Sequence, residues 1–503
     1  MDKDRADKDN SRQYDRIMKN TGLFGVIQGL MLVINIVRNK FVAKLIGTAG
    51  FGINESFNRS LNFIKSTTDL GLPFSAVRSV SECMEDDRAG QLAESILVTR
   101  TWAFITALSG ALLCVLLSGV FSLWAFDGDR LYTLSFMLLS PSVFFSAITG
   151  GEMAILKGLR LLRQIAVSQL AVAILTCCIS IPLFFHYGVK GLVPSIVLVS
   201  LATAVVTCCY SFKAFPYRIS PFSKSVIRKG FGMIRIGVYF MVTSFFSSGA
   251  FAIIANWLMN NGNADVTGKY GAGYQMVAWL GMFVFAAMES DYFPRLSSVN
   301  GDNARVTEMV NSQAEVALLL MSPMVVGFIV FLGPIVHILL TEKFMDAVPM
   351  ASLAAINLIF KSMTQPMAYI ALAKGDSRTF LLQELLYDAF FVAAVILAYK
   401  WGGLDMTGLA ITVAAVFDIV SVGTITGKRY GFRFSGQVLK MLLLQVPVVC
   451  LALFSAMCLD GPWRWIAGCA MLAASAWISI YMLGKYSDYL SVLKQKIRNK
   501  LRL

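Results

Sequence analysis

Charged side chains are scarce in this sequence, and apolar ones are abundant. Only 15% of the 503 residues are charged, 56% are hydrophobic, and histidine occurs twice. The mean hydropathy is +0.66. This composition excludes a soluble globular fold and predicts an all-α polytopic membrane protein.

Enzymatic signatures are also lacking. No phosphate-binding Gly-x-x-x-x-Gly-Lys-Ser/Thr loop occurs, and the predicted connections are too short to hold an outer catalytic domain. The nine cysteines show no metal-ligand spacing and are interpreted as small core residues. Residues 1–19 lack the features of a signal peptide, so we expect the first helix to be retained. The sequence therefore predicts neither an enzyme nor a bound metal or organic cofactor.

Thirteen apolar windows are each long enough to cross a bilayer. They are residues 20–47, 91–120, 131–156, 164–185, 189–212, 231–260, 268–293, 314–340, 347–373, 380–399, 406–426, 438–459 and 463–484. The more polar segment 51–80 is predicted as a fourteenth span that hydropathy alone would miss. The resulting domains are an amino tail (1–19), an N-lobe of six spans (20–214), a linker (215–228), a C-lobe of six spans (229–430), two further spans (431–485) and a basic tail (486–503).

Lysine and arginine are distributed unevenly between the predicted connections. With fourteen spans, thirty of these cations lie in the tails and even-numbered connections, and six lie in the odd-numbered ones. By the positive-inside rule, this distribution places both termini in the cytoplasm. The net charge of +14 is then explained by topology, so nucleic-acid binding is not expected.

Two short matches indicate an internal repeat. The turn beginning at Thr48 resembles the one at Thr267, and the stretch beginning at Ala154 resembles the one at Ala371. The members of each pair are separated by nearly the same distance, 219 and 217 residues. This pattern predicts two duplicated halves of six helices that enter the membrane in the same direction.

The first two predicted spans carry polar side chains at membrane depth. On the first span Asn35 and Arg38 follow Gln28 in one polar stripe, whereas Lys40 and Lys44 point to the opposite face. On the second span the polar positions recur at helical spacing, at Glu55, Asn58, Arg59, Asn62, Lys65, Ser66 and Asp69. An ionisable group at the bilayer centre costs about 2.5–3.5 kcal/mol on insertion scales, so we expect these faces to line a wet cavity.

Cations in such a cavity indicate an anionic ligand. Arginine offers paired donors suited to phosphate, and lysine adds a compact charge. The predicted substrate site comprises Arg38, Arg59, Lys65, Arg235, Lys361, Asn35, Asn58, Asn62 and Gln365. Ion pairing with Glu55 or Asp69 is the structural alternative for the cations of the first two spans, and an inner gate or snorkelling is the alternative for Arg235.

Embedded carboxylates are candidates for ion coupling or gating. The four candidates are Asp69, Glu152, Glu289 and Asp291. Further acids lie inside predicted spans at Glu315, Glu384, Asp388 and Asp418. Binding of a coupling proton or sodium ion, closure of a gate and neutralisation of nearby cations all fit these positions.

The run from Ile36 to Gly47, the turn Gly50-Phe51-Gly52 and the stretch from Asp69 to Arg78 resemble the start of Wzx-type O-antigen and polysaccharide flippases. Lys157-Gly-Leu-Arg160 is similar to a later segment of the same family. These proteins belong to the multidrug/oligosaccharidyl-lipid/polysaccharide exporter superfamily. The resemblance covers roughly residues 15–430 and is most specific over 35–80.

This resemblance implies a V-shaped pair of six-helix bundles. It further implies that undecaprenyl-diphosphate-linked oligosaccharides move from the inner to the outer leaflet of the bacterial inner membrane by alternating access. That activity serves O-antigen, lipopolysaccharide or other surface polysaccharide synthesis, with membrane lipids and polysaccharide polymerase machinery as candidate partners. Arg38 and Arg59 match positions that face the central cavity in the family. The two additional spans resemble those of lipid II flippases, and a multidrug or cation antiporter with an acidic cavity is the alternative.

Overall fold

The computed structural model describes residues 2–85, 89–126, 129–220 and 223–486. Over these ranges the backbone forms fifteen α-helices and three short 3-10 helices, without a β-strand. The α-helices are α1 (Asp2–Thr68), α2 (Leu72–Glu85), α3 (Ala89–Leu116), α4 (Ser118–Ala125), α5 (Thr133–Gly158), α6 (Leu162–Tyr187), α7 (Leu192–Ala214), α8 (Lys224–Asn261), α9 (Ala264–Ser298), α10 (Asn303–Leu339), α11 (Val348–Ala355), α12 (Asn357–Ala373), α13 (Ser377–Tyr430), α14 (Gly436–Cys458) and α15 (Gly461–Tyr486). The predicted all-helical fold is confirmed.

The chain is a multi-pass membrane protein. Eight helical stretches of the described residues are long and apolar enough to cross a bilayer, and a ninth forms if Glu342–Ala355 and Asn357–Ala373 count as one bent span. Two of the eight, Arg163–Ala214 and Ser377–Tyr430, have 52 and 54 residues. Since one crossing needs only about 20 residues, each of these two is long enough for two crossings. The total of fourteen spans stays a prediction.

Glycines interrupt both of these long stretches. A 3-10 helix at Gly188–Gly191 separates α6 from α7, and α13 is kinked at Gly402 and Gly403. Gly403 has a φ of 69°, which a residue without a Cβ atom adopts at little cost.

Two compact units make up the structure, Met1–Gly268 and Lys269–Leu503. In the first unit, Phe57 and Ile64 on α1 pack with Phe136 and Leu139 on α5 in an apolar core. In the second, α14 is tied to α15 because Gln445 accepts a hydrogen bond from Ser475 at 2.8 Å. The predicted lobe boundaries, the V shape and the duplicated halves stay predictions.

A single glycine divides α1 into two limbs. Gly47 has φ 68° and ψ −173°, outside the helical region, whereas the residues on both sides are helical. The second limb is therefore Thr48–Thr68. The glycine-rich segment from Gly47 to Gly52 predicts a turn between the first two spans, and the structure confines the break to its first residue. The second limb is not among the stretches identified by hydropathy, as the sequence predicts.

The structure corrects the predicted span 51–80, which is not one continuous helix. The second limb ends at Thr68 and α2 begins at Leu72, with Leu70 and Gly71 at positive φ. Asp69 stabilises this turn because its carboxylate accepts a hydrogen bond from the Gly71 N–H at 3.0 Å. A Cβ atom on Gly71 would lie 2.1 Å from the carbonyl oxygen of Gly237, so the turn packs backbone to backbone against α8.

The opposite end of the second limb makes a similar close contact with the start of α9. A Cβ atom on Gly52 would lie 1.8 Å from the carbonyl oxygen of Ala264, and one on Gly268 would lie 2.0 Å from that of Thr48. The Thr48 hydroxyl also donates a hydrogen bond to Asp265. The two turns that begin at Thr48 and Thr267, which are matched in the predicted repeat, therefore contact each other directly.

Candidate functional site

The second limb of α1 has one apolar face and one polar face. Its apolar side chains, including Phe57, Leu61 and Ile64, are buried in the core of the first unit. Its polar side chains line two cavities of that unit. We call them the bundle cavity, which lies among α1, α5, α6 and α7, and the side cavity, which lies between α1 and α8. The predicted wet face of this helix is thus present.

The bundle cavity has a volume of about 460 Å³. Its polar lining consists of Arg38, Asn54, Asn58, Asn62 and Lys65 from α1, Ser142, Ser146 and Thr149 from α5, and Ser195, Ser200 and Thr203 from α7. No carboxylate occurs among the lining residues that the structure describes. The cavity therefore combines positive charge with amide and hydroxyl groups.

Arg38 is one of the two cations that line this cavity. Its Nε atom is buried, and the described residues offer it no hydrogen-bond partner. Leaving a buried donor unsatisfied costs about 1–3 kcal/mol, and more when the group is charged. An anion that entered the cavity would supply the missing acceptor.

Lys65 and Asn62 lie between the two cavities and line both of them. Lys65 is half-buried, and Asp69, one helical turn further on, interacts with it electrostatically. The Asp69 carboxylate also holds the turn at Gly71 through its hydrogen bond. Lys65 can therefore face a ligand in either cavity.

Arg59 differs from Arg38, although sequence analysis places both in one site. Arg59 lies in the side cavity, which has a volume of about 330 Å³. Its Nε atom is 2.7 Å from Glu55 Oε1, and its guanidinium carbon is 4.6 Å from the centre of the Phe251 ring. The predicted alternative of an ion pair with Glu55 is thus present in the structure.

Two of the three asparagines in the predicted site, Asn58 and Asn62, line a cavity. Asn58 lines the bundle cavity and donates to the Asn54 carbonyl at 2.8 Å and to the Asn54 side chain at 3.0 Å. Asn62 is exposed in both cavities. Asn35 is half-buried and is not among the lining residues of either cavity.

Lys361 and Gln365 belong to the second unit. Lys361 Nζ lies 2.8 Å from Asp418 Oδ2 and 3.6 Å from the centre of the Tyr387 ring. Glu384 interacts with it electrostatically. Lys361 is thus part of an ion-pair cluster with Asp418 and Glu384 between α12 and α13, whereas the sequence predicts that it lines a cavity. Gln365 donates to the Tyr369 hydroxyl at 3.4 Å.

The side chains of three predicted residues, Arg235, Glu289 and Asp291, lie outside the described part of the structure, as does that of Gln28. Their predicted roles in substrate binding, ion coupling or gating stay predictions.

Glu152 belongs to an ion-pair cluster with Arg100, a partner that sequence analysis does not assign to it. Arg100 Nε lies 2.9 Å from Glu152 Oε1, and Arg100 Nη2 lies 3.2 Å from Oε2. Ser211 donates a further hydrogen bond to this carboxylate. Arg100 also donates to the carbonyls of Phe215 and Pro216 at 3.1 and 2.7 Å, just beyond the carboxyl end of α7.

The side chains of Arg100 and Glu152 are only 1% and 3% exposed. All three nitrogens of Arg100 and both carboxylate oxygens have partners, so the cluster joins α3, α5 and α7 without an open position. Of the roles predicted for Glu152, neutralisation of a nearby cation fits this geometry best. One signal in the sequence could have indicated this pair. Each residue is a charge inside an apolar window, and buried charges are usually paired with an opposite charge.

The chain is similar to known proteins in both sequence and fold. A family model described as "Polysaccharide biosynthesis protein" matches residues 41–349. No curated protein sequence matches the chain. The structure resembles that of lipid II flippase MurJ in an inward closed conformation, with 13% identity, a TM-score of 0.67, and coverage of 93% of this chain and 99% of that one.

Two further solved structures share the fold. One is an inward-facing multidrug resistance MATE family transporter of the MOP superfamily, with 12% identity, a TM-score of 0.64, and coverage of 79% of this chain and 96% of that one. The other is a MOP superfamily transporter from Pyrococcus furiosus, with 13% identity, a TM-score of 0.56, and coverage of 80% and 93%. The three proteins are a flippase and two transporters, and at 12–13% identity the likeness shows a shared fold.

Proposed function

The chain belongs to the polysaccharide biosynthesis protein family, and on that premise we propose that it flips undecaprenyl-diphosphate-linked oligosaccharides across the membrane. The observation that carries the proposal is the buried Arg38 Nε, which lacks a partner among the described residues and belongs to a cavity whose described lining contains no carboxylate. A diphosphate is rich in acceptor oxygens and suits this donor. The apolar undecaprenyl chain would stay in the surrounding lipid while the polar head occupies the cavity.

Arg38 and Lys65 are the residues to which we assign the diphosphate. Hydrogen bonds between charged groups are shorter than neutral ones and about twice as strong, and the guanidinium can engage two oxygens at once. Lys65 lines both cavities. It can therefore stay in contact with the ligand if alternating access moves the ligand from one cavity to the other. In this mechanism, the protein lowers the cost of carrying a charged head through hydrocarbon by replacing its hydration shell with fixed donors.

The proposed orientation has both termini in the cytoplasm of a bacterial cell, with transport from the cytoplasmic to the periplasmic leaflet of the inner membrane. The excess of lysine and arginine in the tails and even-numbered connections supports this orientation. Synthesis of O-antigen, lipopolysaccharide or another surface polysaccharide is the process served, with polysaccharide polymerase machinery as partner.

A proton or a sodium ion is the proposed coupling ion. Asp69 is the best candidate among the described acids, because it lies beside Lys65 at the turn between α1 and α2. Among the described residues, no group of three or more His, Cys, Asp or Glu side chains could hold a metal ion.

A multidrug or cation antiporter is the alternative function. The acids around Lys361 in the second unit, Asp418 and Glu384, are the observation in its favour. Arg38 and Lys65 in a cavity whose described lining contains no carboxylate favour an anionic ligand instead.

Proteoliposomes that contain a fluorescent undecaprenyl-diphosphate oligosaccharide test the proposal. We expect wild type to flip this lipid and Arg38→Gln to flip it about 10- to 100-fold more slowly, since a hydrogen bond to a charged group contributes about 1.5–3 kcal/mol. Lys44→Gln is the matched control, because Lys44 is an exposed cation on the first limb of the same helix. Equal rates for wild type and Arg38→Gln would contradict the assignment. Export of a cationic dye without any lipid flipping would favour the antiporter.

A further inference from the structure

A lysine lies among carboxylates in the second unit. Lys361 on α12 forms an ion pair with Asp418 and interacts electrostatically with Glu384. Both acids belong to α13, but the kink at Gly402 and Gly403 separates them, so the lysine joins α12 to the two limbs of one kinked helix. The function proposed above places the diphosphate in the first unit and gives this cluster no role.

The ammonium group has the surroundings of a bound cation. Its Nζ atom lies 2.8 Å from Asp418 Oδ2 and 3.6 Å from the centre of the Tyr387 ring. The carboxylate attracts it as an opposite charge, and the ring face attracts it through a cation–π interaction. The side chains of Lys361 and Asp418 are only 21% and 7% exposed. Water therefore screens the pair little, and the protein itself stabilises a positive charge at this point.

Without the lysine, the same groups would attract a free cation. Carboxylates that are held in a packed interior without an opposite charge are costly. Carboxylate oxygens are the ligands that hard cations prefer, and a sodium ion carries the same unit charge as an ammonium group. The lysine has an advantage over sodium from solution, because a group held on the same chain competes at a high effective concentration. The lysine should therefore exclude a free ion from this position.

We propose that Lys361 is a built-in cation, which occupies the position at which Asp418 and Glu384 would otherwise bind a sodium ion. With the lysine in place, the cluster holds no sodium and admits no cationic compound. A coupling ion then has to bind at another carboxylate, such as Asp69, and the acids of this cluster no longer support a cation antiporter. Sodium binding here is independent of the diphosphate site in the first unit, so either proposal can fail without the other.

Two variants of the second unit separate the lysine from its acid. Lys361→Ala removes the ammonium group and leaves room beside the Asp418 carboxylate, and K361A/D418N removes that carboxylate as well. Arg429→Ala is the matched control, because Arg429 Nε lies 2.6 Å from Asp376 Oδ2 in the same unit. This control also removes the cation of an ion pair, but it leaves a carboxylate that keeps its hydrogen bond from Tyr430 at 2.8 Å.

The test is the Tm of the purified full-length protein in sodium chloride and in N-methylglucamine chloride of equal ionic strength, which keeps charge screening constant. A ligand that binds only the folded state raises the Tm. We expect Lys361→Ala to gain a sodium-dependent rise of roughly 5 °C over wild type, and K361A/D418N to lose it. Arg429→Ala should respond as wild type does. Asp418→Asn should also respond as wild type does, because the cluster of the wild-type protein holds no sodium.

The proposal is overturned if Lys361→Ala gains no sodium response, if the gain persists in K361A/D418N, or if Arg429→Ala gains the same response. It is also overturned if Asp418→Asn removes a sodium response that wild type shows, because the cluster would then bind sodium with the lysine in place. Where Lys361→Ala does not fold, Lys361→Met takes its place. The comparison of wild type with Asp418→Asn needs neither variant.

Discussion

Arg38 and Arg100 are both arginines on helices of the first unit, but their surroundings are opposite. Arg100 is almost fully buried, and each of its three side-chain nitrogens has a protein acceptor. Arg38 has a buried Nε without a partner among the described residues and lines a cavity. The comparison teaches that the presence of a cation at membrane depth does not identify a binding site. What separates Arg38 from Arg100 is that a donor of Arg38 is left without an acceptor among the described residues.

The largest expected effect concerns the saturated arginine. Arg100→Met leaves the Glu152 carboxylate buried without its cation, and breaking a buried pair in this way typically costs about 3–5 kcal/mol of the free energy of unfolding. Thermal unfolding in detergent should therefore show a large drop in Tm. The double variant R100M/E152M should recover much of the loss. If Arg100→Met unfolds at the wild-type Tm, the ion pair does not stabilise the fold, and the proposed difference between Arg100 and Arg38 is contradicted.

Lys361 extends the comparison to the second unit. Lys361→Met leaves Asp418 and Glu384 without their cation, but the Lys361 side chain is 21% exposed, so we expect a smaller loss of about 2 kcal/mol. The same unfolding measurement checks this value. Asp418→Asn combined with Lys361→Met should restore part of the stability, and no recovery would argue against the pair.

Arg59 gives an intermediate case, because Glu55 already satisfies its Nε atom. We expect Arg59→Gln to weaken the binding of undecaprenyl diphosphate by less than about threefold, well below the effect of Arg38→Gln, because the Glu55 carboxylate already accepts from the guanidinium. Equilibrium binding in nanodiscs measures both variants side by side. Equal losses of affinity in the two variants would show that the ion pair with Glu55 does not distinguish Arg59 from Arg38.

A prediction of a different kind concerns Asp376, a saturated carboxylate in the turn between α12 and α13. Burial alone would raise its pKa, but hydrogen bonds from Tyr430 and Thr379 and the charge of Arg429 outweigh it and hold the pKa below the ordinary value. The carboxylate caps α13 and accepts from the Thr379 N–H at 3.2 Å.

Because the folded-state pKa is depressed, the stabilisation by Asp376 is complete above the unfolded pKa of about 3.9 and is lost as the pH falls through the folded pKa. We expect Asp376→Asn to lower the free energy of unfolding by about 1 kcal/mol at neutral pH and by less near pH 3. Unfolding at the two pH values measures the difference. A difference that grows at low pH would have the wrong sign for this account.

Two local features of α1 could be predicted from the sequence. The polar faces of α1 follow from helical spacing, and the break at Gly47 follows from the glycine-rich turn. The predicted span 51–80 was wrong as one helix because the interruption at Gly71 depends on a contact with Gly237, which lies 166 residues further along the chain. No local pattern carries that contact.

Pairing between distant residues was the part that the sequence could not supply. Arg100 and Glu152 are 52 residues apart, and Lys361 and Asp418 are 57 apart. Spacing and hydropathy show that each is a charge in an apolar segment, but only the packing of the helices shows which charges neutralise each other. For the same reason, sequence reasoning grouped Arg38, Arg59 and Lys361 as equivalent cations, although the structure leaves only the first of them with a buried donor unsatisfied by a described residue.

The most direct test of the account is ligand-dependent thermal stability of the purified protein. Undecaprenyl diphosphate at 100 times its Kd should stabilise wild type by about 2.7 kcal/mol, which appears as a raised Tm. Arg38→Gln should keep the ligand-free Tm of wild type or exceed it, because a neutral amide replaces a buried charged group, and should show almost no shift when the lipid is added. An equal ligand-induced shift in wild type and Arg38→Gln would contradict the claim that the unpartnered arginine is the diphosphate site.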